Sequence, residues 1–245
     1  MKWCLGMANN ESQCTLISEI MGARAGDKGK ELTSAVEDYL KAVYALDAEG
    51  KRATTSALAE RMHVSAPSAT AMMKRLAELG LVERAPYRGV VLTDRGRLCA
   101  LEVLRHHRLL ERYLADSLGM SLDEVHAEAD RLEHVLSEEL EARIDAALGY
   151  PTHDPHGDPI PDSTLHIADS TSRSVADLDP GDTATVARVP DGDPELLRYL
   201  AEIGLVPGQE LELTRAAPFG GPLTVRTGGG EHAIARELAA AVGIA

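Results

Sequence analysis

The sequence predicts a mainly α chain: an N-terminal winged helix-turn-helix, then long helices, then a small β-barrel at the C-terminus. Three observations carry this prediction. Two short apolar-periodic segments meet at a tight turn over residues 54–80. A helical pattern then runs with little interruption to Leu148. Beyond Pro151 short β-type runs sit among Gly and Pro.

The elements follow in order. Residues 1–30 show no periodicity and contain Gly22, Gly26 and Gly29; they read as a loose tail, with Met7 and Met21 as alternative starts. Ser34 is placed to cap a first helix carrying Val36, Tyr39, Leu40, Val43, Tyr44 and Leu46, which Gly50 ends. Thr54, Thr55 and Ser56 open a short second helix, and His63 and Val64 form the turn. Ser65 starts a third helix with Pro67 in its first turn, where proline is tolerated. Leu81–Arg84 and Val90–Thr93 are expected to pair as the wing, with Arg88 at its tip. Helices are predicted over Asp94–Ser117 and, as one element, Leu122–Leu148. Strands are predicted at Thr183–Val189, Glu210–Arg215 and Leu223–Thr227, with a helical piece over Pro194–Ile203. The resulting division is a tail at 1–30, a DNA-binding domain at 31–97, a helical domain at 98–162, a linker at 163–172 and the barrel at 173–245.

Composition narrows the function. Apolar residues make up 44 % of 245, but only eight residues are aromatic, so the cores must be aliphatic. Three cysteines, Cys4, Cys14 and Cys99, have no metal-binding or redox spacing and suggest free thiols in a reducing compartment. No apolar run approaches the roughly 18–20 residues of a membrane span, and no signal peptide is evident, so the expected location is the cytoplasm and no membrane partner is expected. The net charge of −14 argues against nucleic acid. Between Lys51 and Arg97, however, nine Lys/Arg face four Asp/Glu. A basic face on an acidic body can meet DNA while suppressing loose binding.

In a helix-turn-helix the second helix presents its N-terminal residues to base edges. Here these are Ser65, Ala66, Pro67, Ser68 and Thr70, small groups suited to thymine methyls and single hydrogen bonds. Lys74, Arg75, Arg84 and Arg88 are the candidate phosphate contacts.

Metal-ligand chemistry is concentrated further on. His126, Asp130, Glu133 and His134 stand at offsets 0, 4, 7 and 8 and share one helical face; His107 and Glu111 stand four apart on the preceding helix. Imidazole and carboxylate suit divalent transition metals. Surface carboxylate stripes are common, and spacing alone leaves metal binding and a solvated face both open. There is no His-Glu-x-x-His, Gly-x-Ser-x-Gly or phosphate-loop motif, so an enzyme is not expected. A metal-independent winged-helix regulator is the remaining alternative, although no small organic ligand is expected.

From Leu32 to about Pro161 the chain resembles the diphtheria toxin repressor family of metal-dependent regulators. The motifs carrying the resemblance are Glu37-Asp38-Tyr39-Leu40, the winged helix, His107-Arg108-Leu109-Leu110-Glu111, Glu133-His134, and Gly157-Asp158-Pro159-Ile160-Pro161. Residues 173–245 are similar to that family's SH3-like domain. The resemblance implies a homodimer joined through the helical domain and bound to double-stranded operator DNA. It implies an activating metal site at Asp38, Asp130, Glu133 and His134. It implies an ancillary site at His107, Glu111 and His126, completed from the SH3-like domain by Asp193, with Glu195 as the substitute. Iron-sensing members carry Met and Cys where Asp38 and Asp130 stand. Oxygen ligands favour Mn(II) over Fe(II), so manganese sensing is expected, with Fe(II) as the alternative. Lys41 stands where two-domain manganese sensors have a carboxylate, which favours separated sites here.

Overall fold

The computed structural model describes residues 32–85, 89–167 and 173–245. The tail at 1–30, Arg88 and the last five residues of the expected linker lie outside the described residues. The chain forms two compact units, one of residues up to Arg105 with 161–166, the other of 106–160 with 167–245.

The first unit begins with α1 (Ser34–Ala48). Its apolar stripe, Val36, Tyr39, Leu40, Val43 and Leu46, is buried, as its near-3.6 spacing requires. Thr33, not Ser34, occupies the N-cap position, and it makes no side-chain cap bond. α2 (Thr55–Arg61) starts where Thr54 Oγ1 accepts from the Ala57 N–H at 3.2 Å. α3 (Ala66–Glu78) starts where Ser65 Oγ accepts from the Ser68 N–H at 3.3 Å. Between them His63 takes a φ of 51°, which turns the chain sharply. Leu58, Ala69 and Leu76 lock the pair onto α1. β1 (Val82–Ala85) and β2 (Gly89–Leu92) pair antiparallel, Val82 opposite Leu92. This is the expected winged helix-turn-helix, its strands shifted by one residue from the sequence expectation.

α4 (Asp94–Leu118) passes from the first unit into the second. The single helix predicted over 122–148 is in fact two, α5 (Leu122–Leu132) and α6 (Glu138–Ala147). The break has a local cause. Ser137 Oγ accepts from the Leu140 N–H at 3.3 Å and opens a new helix, and Glu138, Glu139 and Glu141 in its first turn complement the positive end of the dipole. Glu133 therefore caps α5, while His134 lies in the turn beyond it. Leu109, Leu110, Ala129, Leu136, Ile144 and Ile160 form the core beneath these helices.

The C-terminal part holds β3 (Arg173–Ser174), a 3₁₀ turn (Val175–Asp177), β4 (Thr183–Arg188), α7 (Pro194–Glu202), β5 (Glu210–Ala216), β6 (Leu223–Thr227), β7 (Gly230–Ile234), α8 (Arg236–Ala241) and β8 (Gly243–Ile244). The strands make one antiparallel sheet in the order β3-β8-β4-β5-β6-β7. Its order is linear, with β3 and β7 at the two ends, and this sheet stands where the SH3-like domain was expected. Leu197 and Leu200 of α7 close its core with Val186, Leu213, Leu223 and Val225. The sequence reading omitted β3, β7, α8 and β8.

Within the second unit, the Pro-rich segment after α6 is fastened to β4. Val189 N–H donates to His156 O at 2.9 Å, and Arg188 Nε meets Asp158 Oδ1 at 2.7 Å. Gly157, at φ +93°, allows this approach, because a Cβ there would lie 1.9 Å from Ala187 O. Gly157→Ala therefore combines backbone strain with a clash against main chain. It is expected to cost about 2 kcal/mol, at the level of a residue forced into positive φ, measurable as a lowered midpoint in urea unfolding.

Candidate metal centre

Three elements of the second unit deliver the ligand-type side chains. α4 brings His107 and Glu111, one helical turn apart. α5 brings His126, Asp130 and, at its cap, Glu133. The segment 151–160 brings Asp154 and His156. Glu111 and Glu133 have 0 % exposure, and His107 is also buried.

The centre of the cluster is a triangle. His107 Nε2 lies 2.9 Å from Glu111 Oε1, His126 Nδ1 lies 3.0 Å from the same oxygen, and the two nitrogens are 3.1 Å apart. The imidazole rings meet edge to face at 4.8 Å. On its other side His107 Nδ1 approaches Glu133 Oε2 at 2.5 Å and Asp130 Oδ1 at 3.3 Å. His134 Nε2 is 3.5 Å from Glu133 Oε1. The sets His107–Glu111–His126 and His107–Asp130–Glu133 each place one ligand atom per residue within 4.8 Å of the others.

A third set, which sequence reasoning missed, is Glu111, Asp154 and His156, all buried. Asp154 Oδ1 accepts from the His156 and Asp158 N–H groups, each at 2.9 Å, which leaves Oδ2 aimed elsewhere. His156 Nε2–H donates to Leu122 O at 3.1 Å, leaving Nδ1 as the lone-pair side. Glu111 Oε2, Asp154 Oδ2 and His156 Nδ1 are all buried and make no hydrogen bond. The closest approach between His156 and Glu111, 3.7 Å, is too long for one. Their nearest opposite charges stand at ion-pair rather than hydrogen-bond distance, Arg108 Nε at 3.5 Å from Asp154 Oδ2 and His156 Nδ1 at 3.7 Å from Glu111 Oε2, and the donor set, two carboxylate oxygens and an imidazole nitrogen, fits a divalent cation. The signal in the sequence was His153-Asp154-Pro155-His156-Gly157-Asp158, two imidazoles and two carboxylates in a rigid Pro/Gly turn. The sequence reading places it in the helical domain at 98–162 and assigns neither Asp154 nor His156 as a ligand.

The electrostatics reflect the same crowding. Burial pushes the Asp154 carboxyl up to about 7, helped by the negative Glu111 and Asp158. For His156, burial works against the charged ring, yet the negative charges of Glu111 and Asp154 and the hydrogen bond to Leu122 O outweigh it and raise it to about 9. Burial also works against ionised Glu111, but His107, His126 and His156 hold it well below the usual carboxylate range.

The remaining predicted residues fall as follows. Asp38 is half-buried on α1, in the first unit, whereas Asp130, Glu133 and His134 belong to the second. Asp193 is exposed, and its Oδ1 accepts from the Glu195 and Leu196 N–H groups as the cap of α7. The structure therefore puts its carboxylate to capping and includes neither Asp193 nor Glu195 in any of the ligand sets found among the described residues. Ser65, Pro67, Ser68, Thr70, Lys74 and Arg75 are exposed on and before α3, and Arg84 is exposed on β1. Some of their hydrogen-bonding capacity is already used: Ser65 Oγ is 2.8 Å from Ser68 Oγ, and Thr70 Oγ1 donates to Ala66 O at 2.9 Å.

Comparison with known proteins gives three family matches. Residues 31–90 match the iron dependent repressor N-terminal DNA binding domain, 93–162 the iron dependent repressor metal binding and dimerisation domain, and 173–245 the FeoA domain. The iron-dependent repressor IdeR of Mycobacterium tuberculosis is 35 % identical over 224 residues, covering 86 % of this chain and 97 % of its own length. The diphtheria toxin repressor of Corynebacterium diphtheriae is 39 % identical over 132 residues, covering 54 % of this chain and 58 % of its own. Among solved structures, a manganese-dependent transcriptional repressor in complex with manganese is 41 % identical, with a TM-score of 0.76, covering 85 % of this chain and 98 % of its own. The manganese regulator SloR is 32 % identical, with a TM-score of 0.72, covering 86 % and 97 %. These relatives are DNA-binding repressors and not enzymes. Covering nearly the whole length of such relatives, the chain belongs to the diphtheria toxin repressor family of metal-dependent transcriptional repressors.

Proposed function

We propose that this protein is a manganese-activated repressor of metal-ion homeostasis genes that binds operator DNA as a homodimer. What carries the reading is the buried cluster of the second unit. Its carboxylate and imidazole atoms form overlapping three-residue sets, each within 4.8 Å, and three of those atoms have no hydrogen bond. On the family resemblance, the activating site is Asp38 with Asp130, Glu133 and His134. The ancillary site is His107, Glu111 and His126, to which the geometry adds Asp154 and His156.

A divalent cation would add positive charge among these carboxylates. Without it, Asp38, Asp130 and Glu133 repel one another if drawn together. With that repulsion offset, Asp38 ties the helix-turn-helix unit to the helices that pair in a dimer. The two copies of α3 then stand at a fixed spacing, set by the roughly 34 Å turn of B-DNA or a multiple of it. Linkage requires that DNA tighten cation binding by the same factor as the cation tightens DNA binding.

The preference for manganese rests on oxygen ligands at positions 38 and 130, and on likeness to structures titled as manganese-dependent repressors. A second reading, iron(II), is favoured by the 35 % identical relatives named iron-dependent. A mobility-shift titration of chelator-stripped protein against upstream DNA separates the two. Mn(II) is expected to induce the shift at lower free concentration than anaerobic Fe(II) or Zn(II). A tight complex without any cation would overturn the reading, and a stronger response to Fe(II) would select the alternative.

Asp38→Met combined with Asp130→Cys is expected to move activation from Mn(II) toward Fe(II) or Co(II), by about tenfold or more in the ratio of half-maximal concentrations, as replacement of hard by soft ligands implies. The same titration checks it.

The raised group His156 gives a pH prediction. Because its folded value, about 9, exceeds the ordinary 6.5, it stabilises the cation-free fold below 6.5, and that contribution is lost as pH rises through 9. Asp154 acts in the same sense at lower pH, its contribution being lost between 3.8 and about 7. The urea midpoint of stripped protein is therefore expected to fall from pH 6.5 to 9, and the fall should shrink once Mn(II) replaces the proton on His156. A midpoint rising across that window would contradict the assignment.

A further inference from the structure

Two consecutive histidines on α4 face Glu133 from different sides. His107 reaches its carboxylate. His106, with 0 % exposure, reaches its backbone: Nδ1 lies 3.2 Å from Glu133 O, and Nε2 lies 2.9 Å from Glu141 Oε2. Glu133 O belongs to the last turn of α5, whose carbonyls have no partner within the helix. Glu141 stands in the first turn of α6. The imidazole of His106 thus joins three helices at the corner from which Glu133 and His134 project, with the exposed Val135 next along the turn.

We propose that His106, held by Glu141, is a positioning residue for the cation ligands Glu133 and His134. It reaches these ligands through the Glu133 backbone. The chemistry follows from the donor inventory. A carbonyl oxygen can only accept, as does a carboxylate oxygen, so the contacts are read with Nδ1–H donating to Glu133 O and Nε2–H donating to Glu141 Oε2. The ring cannot rotate without losing both contacts inside a buried site, where an unpaired polar group is expensive. The peptide at residue 133 is consequently fixed against α4, the same helix that carries His107 and Glu111. Outer partners of this kind govern how well a ligand is aimed.

The Asp154 and His156 ligands hang on a different segment, 151–160, which is tied to β4. Loss of His106 therefore acts on one part of the centre. The inference rests on the reading that Glu133 and His134 hold a cation, and the experiment keeps the two apart.

Mn(II) binding to the stripped full-length protein is followed by calorimetry, and the Co(II)-loaded forms by their ligand-field absorption. Glu133→Gln marks the site that uses Glu133, and Asp154→Asn marks the one that uses Asp154. His106→Leu, close in volume and without donors, is expected to weaken the Glu133 class by about tenfold or more, in the range seen when outer partners are lost. It should alter that class's Co(II) bands and leave the Asp154 class within about threefold, well short of that range. Equal losses in both classes, or none in either, would overturn the proposal. Should His106→Leu fail to fold, Glu141→Gln and Glu141→Leu replace it. The first keeps an oxygen able to accept from Nε2–H and should retain Mn(II) affinity; the second should lose it. Equal behaviour of the two would overturn the proposal as well. A wild type that takes up no cation sinks both readings, whereas a responsive wild type matched by His106→Leu sinks this one alone.

Discussion

The second unit is organised around carboxylates that water does not reach. Glu111 and Glu133 are fully buried, and Asp154 is nearly so. An isolated buried carboxylate is costly enough that it either takes a proton or acquires positive partners. Here the partners are imidazoles: His107 between the two glutamates, His126 against one, His156 beside Glu111 and Asp154. Imidazole can answer a carboxylate by carrying a proton, or yield its lone pair to a cation. The same groups therefore support two ways of balancing the charge. One is set by pH and the other by free metal. A core that needs a positive species, without fixing which one, would under the proposed reading convert metal availability into conformational free energy.

The geometry of α4 makes this workable. Glu111 and His107 are a helical turn apart and so share a face. His106 and His107, being adjacent, diverge, one toward the ligand cluster and the other toward the α5–α6 corner. The break between α5 and α6 matters here. A continuous helix would have put His134 about 100° round from Glu133, on the same rod. The observed turn instead ends the α5 ladder at Glu133, which stays αR, and turns the chain just beyond His134. It also presents a helix-end carbonyl, which His106 satisfies. The arrangement accordingly depends on Ser137, whose cap opens α6 where the chain could have run on.

Local periodicity made most of this legible. The apolar stripe of α1, the caps Thr54 and Ser65, Gly50 and Gly80 at positive φ, and the i, i+4 pairs His107/Glu111 and His126/Asp130 are all signals over a few residues, and the structure reproduces them. What escaped was non-local or competing. The acid-rich run from Glu133 to Glu141 keeps a helical pattern through its break, because Ser137 is the one residue that marks it and serine is common inside helices. Asp154 and His156 sit in a Pro- and Gly-rich turn with no helical or strand period to align them with other ligands, and only the fold reveals that the turn is packed against Glu111. β7, α8 and β8 are short segments whose pairing partners lie elsewhere in the sheet. Asp193 was named through the family resemblance, and Pro194 directly after it marks the start of a helix that its carboxylate caps.

The last of these bears on what the C-terminal sheet does for the metal centre. The expectation was a ligand donated across from that part of the chain. The contacts within the second unit are of another kind. Val189 holds the carbonyl of His156, Arg188 holds Asp158, Gly157 lies against Ala187 O, and Arg198 reaches Asp123 on α5 at 2.9 Å. Each of these fixes a backbone or a flank of the cluster without supplying a coordinating atom. Asp158 is also approached by Arg108 of α4 at 3.6 Å, so one carboxylate is shared by arginines from α4 and from the sheet. A ligand aimed by a rigid neighbour needs less ordering when the cation arrives, and the free energy not used in ordering remains as affinity. By that route the sheet would raise the metal affinity of the proposed site through the backbone contacts alone. The ligands of the 151–160 segment are then the part of the centre most sensitive to how firmly β4 is held.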